Sequence, residues 1–264
     1  MLTRHSIVAV IAFAALSVAA CDKKSPADAP KGPVKVAAAA DLTFAFEELG
    51  KAFEAKTGQK VVFSFGSTGQ LAKQLEEAAP FDLFAAANVS FVDQVVKAGA
   101  CDGAARSQYA QGRIVLWARA GGAVATTTSL KDLTDAKFVK IAIANPEHAP
   151  YGKAAKEALE AAGVWDAVQP KIVYGENIKQ TMQFAQTGNA EAAIVALSLA
   201  IVEKDGAYSL IDPASHKPLD QALVVCKNGQ NAAGGKAFAD FVNSPDGRAI
   251  MNKYGFVLPG EAVK

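Results

Sequence analysis

Histidine, cysteine and tryptophan are scarce in this chain of 264 residues, which has three, three and two of them. Beyond the first turn of sequence only His148 and His216 remain, and neither stands near a Cys or a second His at ligand spacing. Direct ligation of a metal by protein side chains is therefore not expected, and no cofactor is implied. The chain also lacks an excess of either charge, with Lys+Arg 27 against Asp+Glu 26. That balance argues against nucleic acid, whose binding relies on a basic surface that neutralises phosphates. It gives no long-range pull on an anion either, so any anion site must work by local hydrogen bonding. Long apolar runs are nearly absent: Ile7 to Ala20, broken by Ser17, is too short for the roughly 20 residues that span a bilayer, and no other run of that kind follows. Internal repeats are not evident.

What is present begins with an address. The apolar run ends Val18-Ala19-Ala20-Cys21, small residues at the end of a signal peptide, which predicts removal of residues 1–20. Small residues followed directly by Cys resemble the lipobox of bacterial lipoproteins, in which the thiol of Cys21 would be acylated. The alternative is an ordinary secretory signal that happens to end near a Cys. Asp22 resembles the signal that keeps lipoproteins in the inner membrane, which places the protein in the periplasm with its lipid in that membrane. Residues 21–33 are rich in Pro, Lys, Asp and Ala, contain no large apolar residue and read as a tether. Cys101 and Cys226 are read as two small buried hydrophobes in preference to a disulfide, because sequence gives no distance between them.

From Val34 onward short apolar runs alternate with helical patterns. Val34 to Ala40, Lys60 to Phe65 and Asp82 to Ala87 read as strands, each followed by a helix: Leu42, Phe46, Leu49 and Phe53 recur at helical spacing until Gly58, then Leu71 and Leu75, then Phe91 and Val95. A second set follows, with strands at Lys140 to Ala144, Lys171 to Tyr174 and Ala192 to Leu197. Gly112 to Ala118 and Gln221 to Cys226 are further strands, and two helices close the chain. The expected fold class is α/β, two lobes each with a largely parallel sheet, the second inserted into the first: residues 34–115 and 222–264, and residues 116–221, joined by two connecting strands as a hinge. Ligands of such sheets bind beyond the carboxyl ends of the strands, so facing sheets make a cleft.

The residues after each strand carry the chemistry. Ala40 and Asp41 open one helix, and Gly66-Ser67-Thr68-Gly69 opens another. Asn145 to Gly152 delivers the N–H groups of Tyr151 and Gly152 at a helix start, and Gly175-Glu176-Asn177 leads into Ile178. A helix start has unsatisfied N–H donors and a partial positive charge, so four of them facing one gap would hold an anion. Taken singly, Ser67 or Thr68 reads equally as a helix cap. A hydrolase is disfavoured: the nucleophile elbow around Ser67 requires Gly where Phe65 stands, and His148 lies in a Pro-flanked loop.

Val36-Ala37-Ala38-Ala39-Ala40-Asp41-Leu42, Phe65 to Gly69, Ala79-Pro80-Phe81-Asp82-Leu83-Phe84, Asn145 to Gly152 and the ending Tyr254-Gly255-Phe256 together resemble the periplasmic molybdate-binding proteins of ABC transporters. The resemblance implies the two-lobed binding-protein fold of type II, a monomer that is not an enzyme, a small oxyanion such as molybdate or tungstate as ligand, and an ABC permease in the inner membrane as partner. Its pocket, carried onto this chain, consists of Ala40, Asp41, Ser67, Thr68, Tyr151 and Ile178, the last two through backbone N–H. Relatives have a hydroxyl where this chain has Ala40 and Ala196, which leaves phosphate, arsenate or sulfate as alternative ligands and an oxyanion sensor as an alternative role. Asp41 is expected to cap the helix beginning at Leu42 and to show the ligand only its N–H; the other arrangement has its carboxylate face the pocket and accept a proton from the ligand.

Overall fold

The computed structural model describes residues 32–121 and 129–262. The expected signal peptide, Cys21 and most of the tether lie outside the described residues.

The first half of the chain alternates as its periodicity suggests. β1 (Val34–Ala39) leads through a single 3-10 turn at Ala40–Leu42 into α1 (Thr43–Thr57), followed by β2 (Val61–Gly66), α2 (Thr68–Glu76), β3 (Leu83–Ala86) and α3 (Val89–Lys97). α1 buries Phe46, Leu49 and Phe53 along one face and stops at Gly58, whose φ of 72° supplies the left-handed turn that a side chain disfavours. β4 (Cys101–Gly112) and β5 (Ile114–Arg119) follow, then β6 (Ile141–Ala144), α4 (Pro150–Ala161), α5 (Trp165–Val168), β7 (Ile172–Gly175), α6 (Ile178–Gln186), β8 (Ala192–Ala196), α7 (Leu197–Ala200) and β9 (Gly206–Leu210). β10 (Leu219–Cys226), α8 (Ala232–Val242) and α9 (Pro245–Lys253) complete the order.

These strands form two five-stranded sheets, ordered β2-β1-β3-β10-β4 and β7-β6-β8-β5-β9. In each the strands that precede a helix pair in parallel, and the two strands on the far side run antiparallel. The chain leaves the first sheet at Gly112 and returns at Leu219, and these two residues are register partners. Beyond them Val115 pairs with Leu210, so the two crossings run side by side. The C-terminal segment lies against the same place: Gln111 bridges Val257, and the Arg113 guanidinium donates to the carbonyl of Gly255.

The core of the first lobe is aromatic, with the Phe46 ring 5.7 Å from that of Phe238 and the Phe53 ring 5.4 Å from it, both edge to face. Each such ring taken out of water is worth about 1.5–3 kcal/mol. The second sheet buries Trp117, Ile143, Ile194 and Leu159. Cys101 and Cys226 correct the expectation that they are unpaired: they are register partners at the outer ends of β4 and β10 and form a disulfide at a sequence separation of 125. Adjacency of the two strands, which depends on the sheet order, puts the two sulfurs together.

Candidate functional site

One small pocket between the sheets, with a cavity volume of about 10 Å³, is lined by residues from the four strand-to-helix junctions named in the sequence, and by Ala87 after β3. Ala40 and Asp41 follow β1, Ser67 and Thr68 follow β2, Tyr151 begins α4, and Ile178 begins α6. The six residues named from the sequence thus border the same space. Ala196 does not line it; it sits at the end of β8 opposite Ile114.

Three of these four helix starts have no capping side-chain bond. α4 has Ala149 at its cap position, which offers no acceptor, and Ser67 occupies the cap position of α2 without making a capping bond. At α6 the Asn177 side chain accepts from the N–H groups of Lys179 and Gln180, leaving that of Ile178 to the pocket. First-turn N–H groups have no partner inside their own helix, so these ends present donors and partial positive charge. Thr68 is buried, and its Oγ1 accepts from the N–H of Ala87 at 3.2 Å, which leaves its own hydrogen to donate.

Ser67 and Gly69 make one of the direct contacts between lobes. The Ser67 hydroxyl donates to the His148 carbonyl at 2.7 Å, the Gly69 N–H donates to the same oxygen at 2.9 Å, and the His148 Nδ1 lies 2.9 Å from Ser67 Oγ. Gln70 Nε2 donates to Glu176 across the same seam. Glycine at 69 permits the approach, since a Cβ there would stand 2.8 Å from the His148 oxygen. The Ser67–His148 pair has the residue types of a nucleophile and base, but the ring nitrogen it uses is Nδ1, and among the described residues no carboxylate bonds to His148 to orient it.

Asp41 departs from its expected role. The helix begins at Thr43, and the carboxyl of Asp41 makes no capping bond. Instead its Oδ2 accepts from the Tyr151 hydroxyl at 2.9 Å and from Gln221 Nε2 at 2.8 Å. The Tyr109 hydroxyl donates to Gln221 Oε1 at 2.6 Å, and the Ser198 hydroxyl donates to the Asp41 carbonyl at 2.7 Å. Asp41 Oδ1 is buried with no partner. Burial is the main cause that pushes this carboxyl up to about 6, partly opposed by the bonds from Gln221 and Tyr151. Burial likewise pushes the Tyr109 and Tyr151 hydroxyls well above their ordinary value, with the Asp41 charge adding to it. Capping lost because the 3-10 turn aims the side chain inward, at the point where β10 and α4 deliver Gln221 and Tyr151. Gly112 makes room for both: a Cβ there would meet the Tyr151 oxygen at 2.1 Å and Gln221 Nε2 at 2.9 Å.

Sequence reasoning assigned Tyr151 a backbone role and passed over its hydroxyl, along with Tyr109, Ser198 and Gln221. Gln221 reads in sequence as the first residue of an apolar strand; a polar side chain joined directly to the run Ala222 to Cys226 was the signal available, and the structure buries it completely.

Comparison with known proteins adds the following. The model of the bacterial extracellular solute-binding proteins matches residues 34–257. The molybdate-binding protein ModA of Rhodobacter capsulatus is 37% identical over 87% of this chain and 90% of its own. A putative ABC transporter substrate-binding lipoprotein of Bacillus subtilis, YvgL, is 30% identical over 97% of this chain and 99% of its own. Among solved structures, the periplasmic molybdate-binding protein of Azotobacter vinelandii superposes with a TM-score of 0.80 at 29% identity, covering 86% of this chain and 99% of the other.

Proposed function

We propose, from the premise that the chain belongs to the bacterial extracellular solute-binding proteins and to their molybdate-binding group, that it captures molybdate or tungstate between its lobes and delivers it to an ABC importer. The observation that carries the reading is the convergence of four strand-to-helix junctions on one pocket. A dianion leaving water loses a large hydration energy that preorganised donors must replace, and hydrogen bonds to charged groups contribute about 1.5–3 kcal/mol each. The N–H groups of Ala40, Asp41, Tyr151 and Ile178 with the hydroxyl of Thr68, the Ser67 hydrogen being engaged by the His148 carbonyl on the wall of the pocket, would leave a net of about −8 to −12 kcal/mol, the range of micromolar to nanomolar affinity. No Lys or Arg is required in the pocket.

The lobes in this reading are residues 34–112 with 219–264, and residues 113–218, and they close about the paired crossings. These bounds lie a few residues from the 34–115 with 222–264 and 116–221 expected from sequence, because Ile114 and Val115 pair in the second sheet and Leu219 to Gln221 in the first. Lipid on Cys21 holds the protein on the outer face of the inner membrane, beside its permease, as a monomer. A disulfide between Cys101 and Cys226 suits that compartment, since such bonds persist outside the reducing cytoplasm.

Titration calorimetry with molybdate, tungstate, sulfate, phosphate and arsenate tests the reading. Molybdate and tungstate should bind with micromolar or tighter affinity and sulfate at least about a hundredfold more weakly, because its shorter bonds leave donors unmet. Preference for sulfate, phosphate or arsenate would overturn the ligand.

A further inference from the structure

We propose that Asp41 is a proton-carrying contact to the bound oxyanion: in the closed complex its Oδ1 holds a proton and donates it to a ligand oxygen, so that each dianion captured brings one proton with it. This rests on the reading of the pocket as an oxyanion site.

The order of donors around the carboxyl leads to it. Tyr109 donates into Gln221 Oε1, which turns the Gln221 amide nitrogen toward Asp41 Oδ2; the Tyr151 hydroxyl donates to the same Oδ2. Oδ2 is therefore satisfied as an acceptor twice over, as the carbonyl oxygen of a neutral acid would be. Oδ1 receives nothing, is buried, and belongs to a residue that lines the pocket. A buried oxygen without a partner is costly unless something arrives to meet it. An ionised Oδ1 beside a dianion would be repelled by it, and strongly so away from bulk water. Protonated, the same oxygen becomes the donor of a charge-assisted hydrogen bond.

The groups packed on Asp41 offer no compensating charge. They are Tyr151 from α4, Tyr109 from β4, Gln221 from β10 and Ser198 from α7, and the two tyrosines stay neutral because their hydroxyls titrate well above the ordinary value. His148 lies on the Ser67 side of the pocket and bonds there. The carboxyl is already raised to about 6 by burial, and a neighbouring dianion pushes it further in the same direction. The balance is simple: one proton from solvent adds to the Asp41 carboxylate as the dianion enters, no covalent bond to the ligand forms, and the proton returns to solvent when the ligand leaves.

The test is titration calorimetry of the full chain with molybdate and with tungstate at pH 8, in two buffers of different ionisation heat. About one proton taken up per anion bound is expected, with affinity falling about tenfold per pH unit above pH 7 until the bound carboxyl itself ionises. In Asp41→Asn, whose amide can donate to the same ligand oxygen, the uptake should vanish and the pH profile should flatten. Binding by the wild-type protein without proton uptake overturns the proposal and leaves the oxyanion reading in place, as does uptake that survives in Asp41→Asn. Failure to bind any oxyanion at any pH removes both.

Discussion

At the scale of single residues, Asp41 also makes stability depend on pH in a direction opposite to that of most carboxylates. Its carboxyl is raised by burial from about 3.8 to about 6, so between those values the folded protein keeps a proton that the unfolded chain has released. Stability contributed by the neutral acid is full below about pH 4 and is lost as pH rises through 6, by up to about 3 kcal/mol. Glu48 works the other way: hydrogen bonds from Lys253 and Tyr254 lower it, and its contribution is lost on acidification. The two are separated by denaturant titrations of wild type and Asp41→Asn at several pH values. The wild type should lose stability relative to the variant between pH 4 and 7, and a difference that stays constant across that range would contradict the burial argument. Residues at the helix starts could be read from sequence because each follows a strand directly. The bond from Gln221 to Asp41 could not, because 180 residues separate them and only the folded sheet order joins β10 to β1 through β3.

At the scale of elements, most strands and helices were legible because their apolar periodicity survives burial on two faces. β4 and β9 were not. Both are edge strands, and β4 is Cys-Asp-Gly-Ala-Ala-Arg-Ser-Gln over its first eight residues, with mostly exposed or half-buried side chains until Tyr109. An edge strand facing water has no apolar run to betray it, and its pairing comes from a neighbour distant in sequence. The start of α6 offers a sharp test of the backbone donors. Ile178 is its first residue and Asn177 before it is extended, with φ −149° and ψ 171°, so proline is tolerated there and deletes little besides one N–H. Ile178→Pro should weaken molybdate binding about tenfold to a hundredfold, corresponding to one hydrogen bond to a charged group, while Ile178→Val, which trims a methyl and keeps the N–H, binds nearly as the wild type. Equal affinities for the two variants would remove Ile178 from the pocket's donors.

At the scale of the whole molecule, Gly69 decides whether the lobes can meet as they do. A methyl group there would collide with the backbone oxygen of His148, which cannot turn aside as a side chain could, whereas alanine in α2 is otherwise favourable to the helix. Gly69→Ala should fold, yet molybdate should no longer produce the compact state in small-angle scattering, and affinity should fall at least tenfold as the donors of the second lobe are lost. Full compaction of the variant on adding ligand would show that the Gly69–His148 contact is incidental to closure.

The disulfide has a topological consequence. Cys101 and Cys226 stand at the outer ends of two neighbouring strands, at a sequence separation of 125, and the chain between them runs out through the first crossing, builds the entire second sheet and returns through the other. The second lobe is thus a covalent ring hung from one bond, whose closure restricts the unfolded chain by about 5 kcal/mol in the loop-entropy description. A protease that cuts once anywhere in that ring opens it without dividing the molecule: the nicked protein keeps its full mass until a reductant releases two pieces.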